Sequence, residues 1–355
     1  MAARRSRGRP TLAQVAARAG VAESTASRVI NGYSQNFRVR PEVRERIFRA
    51  ASELNYRANP VVRTYEEKQT NLIAVVGWAS DGVNRTAVAE AVRVCDTAGK
   101  HVCTTFLHPD SLNLELPSWR VDGALVLQSR RPDDVLELEA RGLPYVSING
   151  LATEAGDSVT FNEEDGMRQL VDHLASLGHT RIAYAYVERE RHIPRGLRHG
   201  AVRARREAYI THMERHGLEP LPGHDHSDID HLDYIWTYVI GQRATALIAY
   251  DDITALFLIQ AAHVLGLSVP KDLSVVTFND EMPARMATPP LTTVAVPAVE
   301  AGRRAGELLL EQLRDPSPES RPKGRRVVLK QQLVIRRSTA QPQGDLGSRS
   351  GPGRS

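Results

Sequence analysis

From Leu72 onward the chain alternates short apolar runs with longer amphipathic stretches, and few folds accept that rhythm. The runs are LIAVVGW (72–78), VCTTF (102–106), GALVLQ (123–128), YVSING (145–150), RIAYAYV (181–187), ALIAY (246–250) and LSVVTF (273–278). Each has the length of a buried strand and is too short for an ordinary buried helix. The intervening stretches, such as Thr86–Ala98, Asp165–Leu177 and Arg203–His216, carry helical patterning. Strands alternating with helices predict parallel sheets covered on both faces, an α/β body.

A different pattern precedes them. Thr11–Asn31 reads TLAQVAARAGVAESTASRVIN, with Leu12, Val15, Ala16 and Ala19 on one helical face. Thr11 is an N-cap candidate, able to accept from the orphan N–H groups of the first turn. Gly20 permits a sharp turn, and Ala26, Val29 and Ile30 form a second short apolar face with Val21 at the turn. Helix, glycine turn and helix make a helix-turn-helix, an all-α head whose second helix enters the DNA major groove. Glu23, Ser24, Ser27 and Arg28 face outward on that helix. A third helix is expected from Pro41 to about Leu54, with Val43, Ile47, Ala51 and Leu54 inward.

Charge separates head from body. Residues 1–57 hold twelve Arg and four Glu, net +8, while the remainder holds 34 basic and 38 acidic residues, net −4. A basic head on a mildly acidic body predicts that the head meets a polyanion. The apolar content of 41% and the 355-residue length are those of a soluble globular protein with two or three domains. Two cysteines, Cys95 and Cys103, without a CxxC pattern suit a reducing compartment. Arg4, Arg5, Arg7 and Arg9 precede no apolar stretch of signal-peptide type, and no run nears the roughly 18 apolar residues of a membrane span. A cytoplasmic protein without membrane partners is expected.

RPTLAQVAARAGVAESTASRVING, followed by RPEVRERIFRAASELNYRAN, resembles the DNA-binding head of the lactose-repressor (LacI/GalR) family, and the likeness continues to about Ala340. Later markers recur in order: EEDG (163–166), HLASLGHTRIA (173–183), RREAY (205–209), IAYDD (248–252), PKDLSVVTFND (270–280), PPLTTV (289–294) and LVIRRST (333–339). The resemblance implies a type I periplasmic-binding-protein-like body of two subdomains with parallel sheets. It divides the chain into a disordered basic arm (1–10), a helix-turn-helix domain (11–57), a hinge linker (58–71), an effector-binding and dimerisation domain (72–339) and a tail (340–355). The tail's Gly, Pro and Ser predict disorder, and it lacks the Leu heptads of a coiled coil. The N-subdomain is expected to take about 72–160 and 291–318, the C-subdomain about 161–290 and 325–339.

The same resemblance assigns contacts. Glu23, Ser24 and Arg28 would face base edges, where Arg reads guanine and Glu accepts from cytosine N4. Thr25, Ser27 and Asn31 are placed for phosphates, and Thr11, Leu12, Arg38, Tyr56 and Asn59 join the expected DNA contacts. Glu23 is alternatively a plain exposed helix charge. The loop YSQNFRVR (33–40) is longer than the family form; it either adds backbone contacts or is simply solvated. In the family the linker becomes a hinge helix on DNA and wedges a Leu into the minor groove; here Tyr65 stands at that position. Val61, Val62 and Thr64 disfavour helix, and Glu66 and Glu67 oppose phosphate.

Ligands of doubly wound folds bind beyond the carboxyl ends of the strands, which here bear Trp78 to Asp81 with Ser80, Gln128 to Arg131, Asn149, Phe161, Tyr250, Asp251 and Asn279. By resemblance Asn149, Phe161, Arg205, Tyr250 and Asn279 align with effector-contacting positions. Each alternatively belongs to the core. Sugar sensors of the family carry Asp where Asn149 and Asn279 stand. Residues 188–206 hold seven Arg and two Glu, net +5, which hints at an anionic effector or is a solvated arginine-rich loop. HDHSDIDH (224–231) is a polar loop or, less simply, a metal site; no metal and no cofactor is expected. No GxSxG, HExxH, P-loop or GxGxxG motif occurs, so no enzyme is expected. The resulting expectation is a transcriptional regulator, a repressor, bound as a homodimer to a near-palindromic operator and controlled by a sugar or sugar-derived effector. The alternative is a stand-alone cytoplasmic solute-binding protein.

Overall fold

A computed structural model describes residues 10–30, 39–56, 69–77, 82–106, 114, 116–117, 119–186, 199–223, 229–314 and 324–343. The chain forms two compact units, Met1–Asn71 and Leu72–Ser355. The arm to Arg9, the hinge from Arg57 to Lys68, most of the 33–40 loop and the tail from Gly344 lie outside the described residues.

The first unit contains α1 (Leu12–Ala19), α2 (Glu23–Ile30) and α3 (Pro41–Glu53). Thr11 caps α1 through a capping box: its hydroxyl accepts from Gln14 N at 3.3 Å while Gln14 Oε1 accepts from Thr11 N at 2.9 Å. Gly20 closes α1 at φ 65°, a left-handed conformation that costs glycine little. Pro41 opens α3, and Arg40 before it provides no side-chain cap. Val15, Ala16, Ala19, Ala26, Val29, Ile47 and Ala50 are buried at the centre of the three helices. Val43, Ala51 and Leu54 pack at the margin of that core.

The second unit contains two sheets. The strands are β1 (Leu72–Gly77), β2 (His101–Phe106), β3 (Gly123–Leu127), β4 (Tyr145–Ile148), β5 (Asp157–Phe161), β6 (Ile182–Ala185), β7 (Ala246–Ala249), β8 (Ser274–Asn279), β9 (Thr292–Ala295), β10 (Arg326–Leu329) and β11 (Gln332–Val334). The first sheet runs β10-β5-β4-β3-β1-β2 and is parallel throughout; the second runs β11-β9-β8-β7-β6, with only β11 antiparallel. We call the units built on them the first and second lobes. Helices α4 (Gly82–Thr97), α5 (Pro132–Ala140) and α11 (Ala298–Arg314) serve the first lobe. The second lobe carries α6 (Glu163–Ser176), α7 (Gly200–Arg215), α8 (His231–Tyr234, continuing as a π-helical turn Ile235–Ile240), α9 (Asp252–Val264) and α10 (Met282–Met286). Gly302 of α11 sits so close to α4 that a Cβ there would meet Ala87 O at 2.0 Å. That close approach buries Ala87, Ala91, Ala301 and Ala305.

The chain crosses between lobes at Phe161–Glu163, Ala295–Ala298 and Leu329–Gln332. Two expected boundaries are therefore corrected. Thr292–Ala295, expected in the N-subdomain, pairs in parallel with β8 and belongs to the second sheet. Arg326–Leu329, expected in the C-subdomain, pairs in parallel with β5 and completes the first. The tail also begins later than expected, because Ala340 is anchored: its N donates to Ser274 Oγ at 3.0 Å and its O lies 2.9 Å from His179 Nε2.

Candidate functional site

In the head, burial of Ala26 and Val29 against α1 and α3 turns the opposite face of α2 outward. Glu23, Ser24 and Arg28 are exposed there, with Thr25 and Ser27 half-buried beside them. Thr11 is engaged in its cap, with a hydroxyl proton left to donate. Leu12 and Tyr56 pack against the core, so they can present only their edges to a partner. Asn31, Arg38, Asn59 and Tyr65 lie outside the described residues.

In the body, a cavity of about 590 Å³ opens at the carboxyl ends of β3 and β4, between the two lobes. The first lobe contributes Ser129, Arg130, Pro132, Asn149, Gly150, Leu151, Thr160 and Phe161. The second contributes Glu163, Tyr186, His199 and the first two turns of α7, including Arg203 and Arg206. Of the expected effector residues, Asn149 and Phe161 line this cavity, whereas Gln128, Arg205, Tyr250, Asp251 and Asn279 stand outside its lining. Trp78 and Ser80 lie outside the described residues, as do most of the arginine-rich segment (187–198) and His224 to Asp228. Ser129 and Arg130 belong to the strand-end stretch expected from the sequence, and Arg203 and Arg206 to its arginine-rich segment; Glu163, Tyr186 and His199 were not anticipated as contacts.

Three strand ends adopt left-handed backbone: Gln128 at φ 47°, Asn149 at φ 54° and Asn279 at φ 98°. Asparagine tolerates this conformation better than most residues, and such positions concentrate at functional sites. Asn149 O accepts from His199 Nε2 at 2.6 Å, a contact joining the first lobe to the start of α7. A carbonyl can only accept, so His199 carries its proton on Nε2 in this contact.

Arg205 lies beneath the cavity, 4% exposed. Its Nε donates to Glu163 Oε2 at 2.7 Å and its Nη1 to Tyr250 O at 2.6 Å. Its guanidinium also stacks over Phe278 at 4.0 Å and Tyr250 at 4.8 Å. Burial works against this charge, but Glu163 and Tyr250 outweigh it and hold the pKa above its ordinary value. The charge of Arg205 is thus paired within the protein, where it holds Glu163 and the Tyr250 carbonyl. Tyr250 in turn meets Tyr186 edge-on at 5.1 Å, giving the cavity wall a rigid aromatic backing. Asp251 is buried and caps α9, accepting from Thr254 N at 2.7 Å. Cys95 is buried, and burial pushes its thiol to about 11, which makes it unreactive as a nucleophile.

Among the described residues, no cluster of three or more His, Cys, Asp or Glu side chains could hold a metal, and no helix is long and apolar enough to cross a membrane.

Residues 11–59 match the family described as bacterial regulatory proteins, lacI family, and residues 171–339 match a periplasmic binding protein-like domain. The HTH-type transcriptional regulator reg1 of Streptomyces lividans is 30% identical over 358 residues, covering 95% of this chain and 98% of that protein. The chain belongs to the LacI family. The fold agrees: a lac repressor dimer bound to operator and the anti-inducer ONPF superposes with a TM-score of 0.76 at 25% identity, covering 94% of this chain and all of that one. The transcriptional regulator CelR in complex with cellobiose superposes with a TM-score of 0.61 at 26% identity, covering 93% and 100%. This LacI-family transcriptional regulator therefore has the helix-turn-helix head and periplasmic-binding-protein-like body of its relatives.

Proposed function

We propose that this LacI-family regulator is a ligand-responsive repressor with no catalytic activity. It binds a near-palindromic operator as a homodimer, because paired heads must meet two half-sites. Glu23, Ser24 and Arg28 read base edges; Thr11, Thr25 and Ser27 hold the backbone, and Tyr65 and Asn59 act in the linker. The effector is a sugar or sugar-derived molecule in the cavity between the lobes, against Asn149 and Phe161.

The observation that carries this reading is the cavity itself. It is walled by both lobes, which three chain crossings join. A ligand filling it binds one inter-lobe angle better than others, and only such differential affinity shifts a conformational equilibrium. The His199–Asn149 contact spans the same gap, so it reports on that angle.

The test begins by selecting a DNA site for the full-length protein from random sequence, then measuring binding at two salt concentrations. Specific binding should exceed binding to random DNA by about a thousandfold or more. Arg28→Ala should lower operator affinity by about 1–3 kcal/mol and relax preference at one base pair per half-site. Equal loss on random DNA would show that Arg28 holds only phosphate, and equal parent affinity for all sequences would remove the repressor reading.

A further inference from the structure

Away from the cavity lining, the two lobes meet where a carboxylate of one lies on a glycine of the other. Gly82 opens α4 in the first lobe, and Glu281 stands just before α10 in the second. A Cβ at Gly82 would lie 2.3, 2.6 and 2.8 Å from Glu281 Oε1, Cδ and Oε2. The whole carboxylate is therefore seated against the bare Cα of Gly82, and its Oε1 is shut off from solvent. Gly77 needs to be glycine for its φ of 114°, but Gly82 has no left-handed φ. Gly82 gives room for a neighbour rather than a turn.

The second lobe presents Glu281 on a braced turn. Asn279 and Asp280 both have positive φ, 98° and 58°. Two successive non-glycine residues in that region cost energy and persist only where neighbours hold them. Here Asp280 accepts from Arg336 Nη2 at 2.6 Å and from Arg285 Nη2 at 3.0 Å. Glu281 N donates to Asp252 Oδ2 at 2.7 Å, and the Glu281 side chain gives no cap to its own helix. Its backbone is thus fixed to the second lobe while its carboxylate reaches the first. On the receiving side α4 is locked to α11: a Cβ at Gly302 would meet Ala87 O at 2.0 Å, and one at Gly306 would meet Val94 Cβ at 3.0 Å. Packing this close transmits a displacement at Gly82 to the helix pair instead of absorbing it.

We propose that Glu281 is a latch between the lobes: its carboxylate, seated on Gly82 at the start of α4, holds the lobes in the arrangement seen here. A helix amino end favours a negative charge, so the seated contact stabilises this arrangement over any in which Gly82 and Glu281 part. The latch rests on the reading that the lobe arrangement carries the ligand response, and it names a residue that sets the resting position. Neither Glu281 nor Gly82 lines the cavity. A substitution at the latch therefore changes the balance between arrangements without removing a group from the cavity wall.

The test uses the full-length protein without DNA or added ligand. Spin labels at the exposed positions Arg93→Cys on α4 and Arg215→Cys on α7 report the distance between lobes by pulsed EPR. Cys103→Ser removes the less buried native thiol, and dilution with unlabelled chains leaves one labelled chain per dimer. The parent should give one narrow distance distribution. Glu281→Ala should broaden or shift it. Gly82→Ala should do the same, because the added methyl unseats the carboxylate, which is the movable end of a flexible side chain. The double variant should match Glu281→Ala alone, since both changes release one contact. Glu281→Gln, which keeps the size without the charge, should move the distribution less. On the selected operator, Glu281→Ala and Gly82→Ala should change affinity in the same direction, by about fivefold or more. Should Glu281→Ala fail to fold, Gly82→Ala carries the distance test. An unchanged distribution in the folded variants overturns the latch. So does a Gly82→Ala effect that adds in full to that of Glu281→Ala, since the glycine would then serve α4 alone. If the distributions move and operator affinity does not, the latch stands and the lobe arrangement is not what controls DNA binding.

Discussion

Two buried carboxylates of the second lobe occupy the same local position and have opposite surroundings. Glu163 opens α6 behind the capping Asn162, and Asp252 opens α9 behind the capping Asp251. Each follows a strand end, and both side chains are shut away from solvent at 8% and 1% exposure. The floor of the cavity gives Glu163 a guanidinium at 2.7 Å. At the corner of α9 and α10, Asp252 receives one backbone N–H, from Glu281 at 2.7 Å, and its Oδ1 has no hydrogen-bond partner among the described residues. Burial pushes the Asp252 carboxyl up to about 8, against that one N–H, and Asp251, Glu281 and Asp280 push the same way. A helix N-terminus favours a negative charge, but in a dry site the partner decides whether the charge is kept. The lobe keeps an ion pair beneath the ligand cavity and a proton at the other corner.

The largest effect should come from breaking the pair. Arg205→Met leaves Glu163 buried without its cation, which typically costs about 3–5 kcal/mol. Urea unfolding of the body should show that loss, and the same variant should blunt any ligand response, since Arg205 also holds Tyr250 O. Adding Glu163→Leu should recover most of the stability, because removing both ions together is often near neutral. A single variant as stable as the parent would mean that Glu163 does not depend on its cation, and the contrast between the corners would vanish.

The second effect concerns the proton on Asp252. Its folded pKa, about 8, lies above the ordinary value of 3.8. Between those values the folded state holds a proton that the unfolded state has lost. Stability from this group is therefore full below about pH 4 and is lost as pH rises through about 8. Asp252→Asn mimics the protonated form and can still accept from Glu281 N. It should melt like the parent near pH 4 and several degrees higher at pH 8.5, with melting followed by circular dichroism. Parallel pH profiles for the two proteins would show that Asp252 is ionised and compensated in the fold.

Much of the architecture was legible in the chain. All seven apolar runs became strands, because buried parallel strands leave a continuous apolar signature. The four strands outside those runs each had a reason to be missed. β10 and β11 lie at sheet edges and are half in solvent, and β5 begins with Asp157 and Ser158. β9 buries two threonines, and Thr292 Oγ1 is satisfied by Arg336 N, a residue far along the chain. Which sheet a strand joins is set by hydrogen bonding between segments distant in sequence, so both misplaced boundaries fell at lobe crossings. The site was read less well for the same reason. The sequence displayed Arg205 and Arg206 as neighbours of one charge. Only packing separates them, by placing Glu163, 42 residues away, against the first and leaving the second on the cavity wall.

The smallest effect is expected in the first lobe, where a third buried carboxylate tests how far the rule extends. Asp157 at the start of β5 is 1% exposed and accepts from Arg325 Nε at 3.0 Å and Nη2 at 2.7 Å. Unlike Glu163, it has further donors: Arg325 N at 2.9 Å and Gln312 Nε2 at 2.8 Å. Unlike Arg205, the Arg325 side chain is 27% exposed, so water screens part of the attraction. Arg325→Gln removes the cation but leaves the backbone donor of residue 325 and the Gln312 amide in place. The expected cost is about 1 kcal/mol, well below that of Arg205→Met, because a carboxylate with two remaining donors is not abandoned. Removing Gln312 as well, with Gln312→Leu, should then cost more than the sum of the two single changes, since Asp157 loses its last side-chain donor. Urea unfolding of the two single variants and the double variant measures this coupling. Strict additivity would show that the two donors act independently, and an Arg325→Gln loss as large as that of Arg205→Met would show that the remaining donors do not compensate for the cation.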